Sequence, residues 1–232
     1  MPLGDAVYSA LRDAITANIV PQATRLSGAS LAASLGISRT PLRDALRRLE
    51  AEHLVASSPG SGFVVVPLSL EDIDEIYAIR AALEGCTASL AARHRTPSDL
   101  ALLEAIHNAF TDAVRAEDVD STAHLNARFH DAISQAAKGE RLAGITSLLQ
   151  QSVRRLGPTT LASRDRAVES VREHEAILAA IRDGNAAQAE AIAREHMERA
   201  HIQRVLQYQR EYISVPAVPG APGEIPPSTL AV

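Results

Sequence analysis

The sequence predicts a mostly α-helical chain in two parts: a small N-terminal unit of helices closed by a β-hairpin, then a larger antiparallel helical bundle. Three observations predict this. Residues 31–49, LAASLGISRTPLRDALRRL, read as two helices joined by a turn at Gly36. Residues 54–66 hold two short apolar runs around a Pro/Gly/Ser-rich turn. From Ser69 onward, apolar residues recur at helical spacing through six segments separated by short connections.

The second of the first two helices has two distinct faces. Arg39, Arg43 and Arg47 stand at i, i+4 and i+8, so they share one stripe, and Leu42, Ala45, Leu46 and Leu49 form the other. Pro41 suits a first helical turn, and Ser38 or Thr40 can cap it. A basic stripe held by a leucine stripe is what a helix lying in the major groove of DNA needs, because one face must be fixed while the other reaches phosphates and base edges. The segment Leu54-Val55 to Phe63-Val64-Val65-Val66 then folds back as a hairpin around Gly60-Ser61-Gly62. Helix-turn-helix plus hairpin is a winged helix. Its small-residue tip lets backbone N–H groups approach a phosphate or the minor groove.

Charge divides the chain in the same place. Residues 1–68 carry six Arg against five acidic residues, whereas residues 69–232 carry 17 basic and 23 acidic ones. The overall charge of −5 therefore conceals a slightly basic N-terminal part that can approach DNA and an acidic remainder that is repelled by it. No apolar run approaches 18 residues and no basic-then-apolar leader opens the chain, which predicts a cytoplasmic protein without a membrane span. The lone Cys86 excludes an intrachain disulfide framework, and its Ala-rich surroundings predict a small buried residue.

In the second part, a helix opens at Leu70-Glu71-Asp72 with Ile73, Ile76, Tyr77, Leu83 and Leu90 on helical spacing. Others follow from Pro97, from about Val119 to Ala137, from Glu140 to Leu156, from Arg164 to Arg182, and from Ala186 to about Tyr212. The predicted division is 1–68 for the winged helix, 69–213 for the bundle and 214–232 for a disordered, Pro/Gly/Ala-rich tail.

Three of the eight histidines stand on apolar faces of three different helices: His130 beside Phe129 and Ile133, His174 between Val171 and Leu178, and His196 one turn after Ile192. An inward histidine is often a plain hydrogen-bonded core residue. Three that converge, with Asn126 one turn before the first, also suit a divalent metal, and both readings stand. Arg80 lies on the apolar side of its helix between Ile76 and Leu83, where a guanidinium needs an anion. That anion is either Glu84, one turn on, or the carboxylate of an effector held bidentately. Arg154 is a second, similar candidate. His53, His94, His107, His124 and His201 read as surface or packing residues.

Residues 6–66 resemble the winged-helix domain of the GntR family of bacterial transcription regulators. The matching residues are Leu31-Ala32, the run from Leu35 to Glu50, Leu54-Val55 and Gly60-Ser61-Gly62-Phe63-Val64. The resemblance implies DNA contacts from Ser38, Arg39 and Arg43, with Gly60 at the wing tip; Thr40 and Arg47 complete the candidate DNA-contacting set. This chain departs from the family at Pro21-Gln22-Ala23, where Pro-Gly is usual, at Ser30, where an acid is frequent, and at His53, where Gly is frequent.

The segments Ile76–Arg93, Asn126–Ile133, Glu173–Ile177 and Ala193–Met197 resemble the FCD domain of the FadR subfamily. That resemblance implies metal binding through one Asp or Asn and three His, here Asn126, His130, His174 and His196. Zn²⁺ is the default ion, with Ni²⁺ or Mn²⁺ as alternatives. Where the family usually has Asp this chain has Asn126, so the site carries one negative charge less. The expectation is a transcription regulator, not an enzyme. It would be a homodimer reading a short palindrome in double-stranded operator DNA, acting as a repressor, and responding to a small organic acid bound near the metal through Arg80 and Arg154. A regulator without metal and a three-histidine metalloenzyme are the competing readings.

Overall fold

A computed structural model describes residues 2–58 and 62–210. Two of the expectations, the wing-tip Gly60 and the tail 214–232, lie outside the described residues. The chain separates into two compact units. Among the described residues, one is built on the chain up to residue 69 and takes in Gln151–Gly157, and the other comprises Leu70–Gln150 and residues 158–210.

In the first unit, α1 (Leu3–Thr16) buries Val7, Leu11, Ala14 and Ile15, an i, i+4, i+7, i+8 stripe. Strand β1 (Arg25–Leu26) leads into α2 (Gly28–Ser34), which Ser27 caps by accepting from the Ser30 N–H at 3.4 Å. Helix α3 (Arg39–Ala51) buries Leu42, Ala45, Leu46 and Leu49. Ser38 occupies its N-cap position but its side chain makes no capping bond, which corrects the sequence expectation that Ser38 or Thr40 caps this helix. Strands β2 (Val55–Ser58) and β3 (Gly62–Val65) form the antiparallel wing, with Val55 opposite Val65. The sequence reading missed β1, which pairs with the far edge of β3 to give the order β1-β3-β2. A two-residue strand is too short to show a period. Glu50 Oε1 accepts the Ser57 N–H at 2.9 Å and so ties α3 to the wing.

The second unit contains α4 (Leu70–His94), α5 (Pro97–Arg115), α6 (Val119–Ala136), α7 (Glu140–Arg155), α8 (Arg164–Arg182) and α9 (Ala186–Tyr208). A single 3₁₀ turn at Thr160–Ala162, not anticipated from the sequence, precedes α8. The end of α7 groups with the first unit. The helix starts are chemically marked. At α5, Thr96 Oγ1 accepts the Asp99 N–H at 3.2 Å while Asp99 Oδ2 accepts the Thr96 N–H at 2.8 Å, a complete capping box with Pro97 following it. Asp118 and Asn185 cap α6 and α9.

The bundle core is built from Phe129, Leu103, Ile106, Ile133, Ile177, Leu178 and Ile181 among many alanines. The small residues bring α4 and α9 close together: a β-carbon on Gly85 would lie 2.8 Å from Arg194 Cγ and 3.2 Å from the Glu190 carbonyl oxygen. Cys86, expected to be buried, is exposed, because it falls on an outward stripe of α4 with Ala78, Ile79 and Ala82. Among the described residues no helix is long and apolar enough to cross a membrane.

Several helices end without glycine where glycine is easiest. Asn18, His53, Glu117 and Lys138 directly follow the C-caps of α1, α3, α5 and α6, with φ of 57°, 57°, 56° and 57°. Each closes its helix by left-handed backbone, as where the Leu54 N–H reaches the Leu49 carbonyl at 2.9 Å. Ala23, in the departing Pro-Gln-Ala turn, is left-handed too, at 61°.

Candidate DNA interface and candidate metal centre

Helix α3 delivers the first site. Because Leu42, Ala45, Leu46 and Leu49 are buried, the opposite face is held outward, and Ser38, Arg39, Thr40, Arg43 and Arg47 are all exposed. Arg39 and Arg43 line a groove with Gly28, Gly62 and Phe63, between the start of α2 and the wing. Neighbouring Arg48 behaves differently: it donates to Asp5 Oδ1 at 2.7 Å and lies 3.7 Å over the Tyr8 ring. Arg39, Arg43 and Arg47 make no ion pair among the described residues, so their guanidinium groups are available to an external polyanion.

The second site forms inside the bundle. Helices α6, α8 and α9 bring His130, His174 and His196 together, with one nitrogen of each ring within 4.8 Å of the others. Ring centroids are 5.4 Å apart for His130–His174, 5.3 Å for His130–His196 and 4.9 Å for His174–His196. Donors at about 2.0–2.1 Å from a tetrahedral zinc are roughly 3.4 Å apart, so the trio needs only a small closure to grip an ion.

Two of the rings are braced by carboxylates. His130 Nδ1 lies 2.7 Å from Glu84 Oε2, and His196 Nδ1 shares a hydrogen bond with Glu173 Oε2. A carboxylate on one ring nitrogen is the usual partner of a metal-ligating histidine, because it fixes the tautomer and turns the other nitrogen toward the ion. The His130 Nε2 left over is buried and has no partner. His174 is fully buried, stacked on Phe129 at 4.3 Å, and neither of its nitrogens has a partner. Burial, reinforced by His196 and His130, holds the His174 pKa well below the ordinary value. Burial also lowers His196 to about 4, against the opposing pull of Glu173. Both rings are therefore neutral and able to ligate at neutral pH.

The carboxylates belong to charged networks. Arg80 donates to Glu84 Oε1 through Nε at 3.1 Å and Nη2 at 2.9 Å, so the intrahelical partner is the one realised, and Glu84 spans Arg80 and His130. Burial alone would raise the Glu84 pKa, but His130 and Arg80 hold it well below the usual carboxylate range. On the other side, Arg166, almost fully buried, donates to Glu173 Oε2 at 2.8 Å, and Arg199 donates to Glu173 Oε1 at 3.1 Å. Burial would raise Glu173 as well, but the His196 and Arg166 hydrogen bonds hold it at about 2.

Asn126 sits one turn before His130 on α6 and is half-buried. Arg154 is exposed and lies in the 151–157 segment that groups with the first unit. The cavity beside the histidines is small, about 20 Å³, and is lined by Glu84, Thr87, His130, Ser134, Thr146 and His196. That is room for about one water or ion. Sequence reasoning missed Glu173 and Arg166. Their only signal was a seven-residue spacing along α8, which places them on one face beside His174.

An exposed arginine stripe on a winged helix, joined in one chain to a helical unit with a buried polar centre, defines a DNA-binding transcriptional regulator with a sensing domain. A model of bacterial regulatory proteins of the gntR family matches residues 3–65, and the FCD domain matches residues 75–199. The transcriptional regulator LutR of Bacillus subtilis is 33% identical over 72% of this chain and 85% of that protein. YdhC of the same organism, described as an uncharacterized HTH-type transcriptional regulator, is 27% identical over 88% of this chain and 92% of that one. The solved structure of E. coli McbR/YncC aligns with a TM-score of 0.66 and 26% identity, covering 90% of this chain and 99% of that one. This chain belongs to the GntR family of bacterial regulatory proteins and carries an FCD domain. The family and these relatives regulate transcription; they are not enzymes.

Proposed function

We propose that this protein is a cytoplasmic, homodimeric repressor of the FadR type whose grip on a palindromic operator is set by a small carboxylate bound at a divalent metal in the helical unit. The observation that carries the metal is His174: a fully buried imidazole with two unpartnered nitrogens, between two histidines that carboxylates already orient. A buried polar group without a partner is costly, and an ion supplies one. His130, His174 and His196 would hold it, with Asn126 as the oxygen donor and Zn²⁺, Ni²⁺ or Mn²⁺ as the ion. A bound ion offers Lewis-acid contact to a carboxylate oxygen. Since Asn126 is neutral, an anionic effector supplies the charge that an aspartate would bring.

The small size of the cavity means that an organic acid binds a more open arrangement. Differential affinity for two arrangements is what lets a ligand shift an equilibrium. Arg80 is engaged by Glu84 and reaches an effector only if that pair exchanges partners. On the DNA side, Arg39 and Arg43 carry base and phosphate contacts, Arg47 a further phosphate contact, and Ser38, Thr40 and Gly60 approach the backbone. A metal-free reading has one observation in its favour, since Glu84 and Glu173 already satisfy one nitrogen each of His130 and His196. It leaves His174 unexplained.

The test is metal content of untagged protein, wild type and His174→Ala. About one ion per chain in wild type and none in the variant supports the sensor. No ion in either after reconstitution removes the metal and leaves the DNA-binding function intact.

A further inference from the structure

A second cavity lies in the bundle, away from the histidines. It holds about 120 Å³, against about 20 Å³ beside His130 and His196. It lies between the end of α5, the start of α6, the 3₁₀ turn and the start of α8. Val114, Leu161 and Ala167 form buried apolar walls, and Val119 and Ala162 stand at the exposed side. The three wall residues belong to one cluster with Phe110, which is fully buried and whose ring lies 4.8 Å from that of His174. Thr122 stands eight residues before His130 on α6, and Ala167 seven before His174 on α8. The cavity therefore lies about two helical turns, roughly 10–12 Å, along the bundle from the candidate metal centre, with Phe110 in the partition between them.

Three polar side chains line this cavity. Glu117 and Arg164 stand at its mouth and pair with each other at 2.8 Å. Thr122 differs from them: it is 2% exposed, and its hydroxyl makes no hydrogen bond among the described residues. A buried hydroxyl ordinarily has a partner. Water is a poor one here, because a buried water needs about two to four polar partners and the side chains of Val114, Leu161 and Ala167 supply none. We infer that this cavity is a second ligand site, for a small neutral molecule with a benzene-sized apolar body and one hydroxyl. The body lies against Val114, Leu161 and Ala167, and the hydroxyl bonds to Thr122. Size sets the body, since an apolar cavity of roughly 150 Å³ takes benzene and this one is slightly smaller but open at its mouth. Neutrality follows from the charges: the carboxylate and guanidinium already satisfy each other, and the group left over is an uncharged hydroxyl. Recognition here uses neither the histidines nor Arg80, so the site is independent of the carboxylate effector proposed above.

The test is an NMR titration of methyl-labelled, full-length protein with phenol, toluene and benzoate, following the methyl groups of Val114, Leu161 and Ala167. In wild type, phenol and toluene shift these signals saturably. Thr122→Val keeps the side-chain shape but removes the hydroxyl, and weakens phenol about threefold to tenfold. It leaves toluene unchanged, which also shows that the variant is folded and its cavity intact. Ala162→Leu, at an exposed position, fills the cavity from its mouth and removes both ligands. Wild-type signals that do not saturate with phenol or toluene overturn the site. Phenol held equally well by wild type and Thr122→Val overturns the role of the hydroxyl. Benzoate bound as tightly as phenol overturns the neutral class, because Arg164 has then left Glu117 for the ligand.

Discussion

The two units arrange their functional groups in opposite ways. In the winged helix the apolar residues of α3 are inside, and Arg39, Arg43 and Arg47 are outside, solvated and without an ion pair among the described residues. In the bundle the working groups are themselves the interior: His174, His196, Glu173 and Arg166 are buried and form one hydrogen-bonded centre around an orphaned imidazole. The first arrangement separates binding from stability, and the second merges them. A surface cation can be removed without disturbing the fold, whereas a buried charge cannot lose its partner without cost.

The strongest test of this contrast removes Glu173. In metal-free protein Glu173→Ala leaves the almost fully buried Arg166 with the half-exposed Glu169, at 3.3 Å, as its one remaining ion-pair partner among the described residues. Breaking a buried pair from one side costs about 3–5 kcal/mol. Urea denaturation of the bundle should show it. A loss below about 1 kcal/mol, the ordinary range of exposed pairs, would mean that the centre behaves as a solvated surface network.

Next in size is a paired experiment on α3. Leu46→Ala empties a buried site and should cost about 2–5 kcal/mol of stability. Arg43→Ala, one turn-face away, should change stability by less than about 0.5 kcal/mol yet cost about 1–3 kcal/mol of operator affinity, along with some of its salt dependence. Thermal melts and fluorescence anisotropy on the same samples separate the two effects. If Arg43→Ala binds operator as wild type does, the arginine stripe is not the reading face.

The smallest effects lie at the capping box of α5. Thr96→Ala should cost about 1 kcal/mol. Asp99 adds a pH signature: bonding to Lys138, with help from the Thr96 backbone and hydroxyl, lowers its carboxyl from 3.8 to about 2. A carboxyl depressed on folding contributes its full stability above the unfolded value and loses it as pH falls through the folded one. The stability difference between wild type and Asp99→Asn should therefore be constant above about pH 4 and shrink from there toward pH 2. A difference that is flat across that window would remove Asp99 from the acid response.

What could be read in the sequence follows from the same contrast. The α3 stripe was legible because solvent-facing and core-facing residues alternate with the helical period, and Arg39, Arg43 and Arg47 obey it without exception. The six bundle helices were legible for that reason, and because Pro97 and the Gly157-Pro158 and Asp183-Gly184 pairs mark their limits. The three histidines could be placed on inward faces, but periodicity does not state which inward residues of different helices meet. Glu84 was therefore identified only as the partner of Arg80, and its second bond, to His130 on α6, appears only in three dimensions. Arg166 and Glu173 were hidden by composition, since charged residues on an amphipathic helix ordinarily face water. Cys86 was misplaced because its alanine-rich neighbourhood looks alike on both sides of α4.

The left-handed residues that end four of the helices have a practical corollary. A side chain in that conformation is disfavoured by about 1–2 kcal/mol relative to glycine, of which glycine returns roughly 0.5–1 kcal/mol through its freer unfolded chain. Four such positions, Asn18, His53, Glu117 and Lys138, recur at φ of 56–57°, and none of them belongs to the candidate DNA-contacting or metal-binding residues. They are places where heat tolerance could be engineered into the protein in small additive steps while its recognition chemistry is left as it is. Asparagine and histidine tolerate the geometry better than the other two, so Glu117 and Lys138 are the substitutions to begin with.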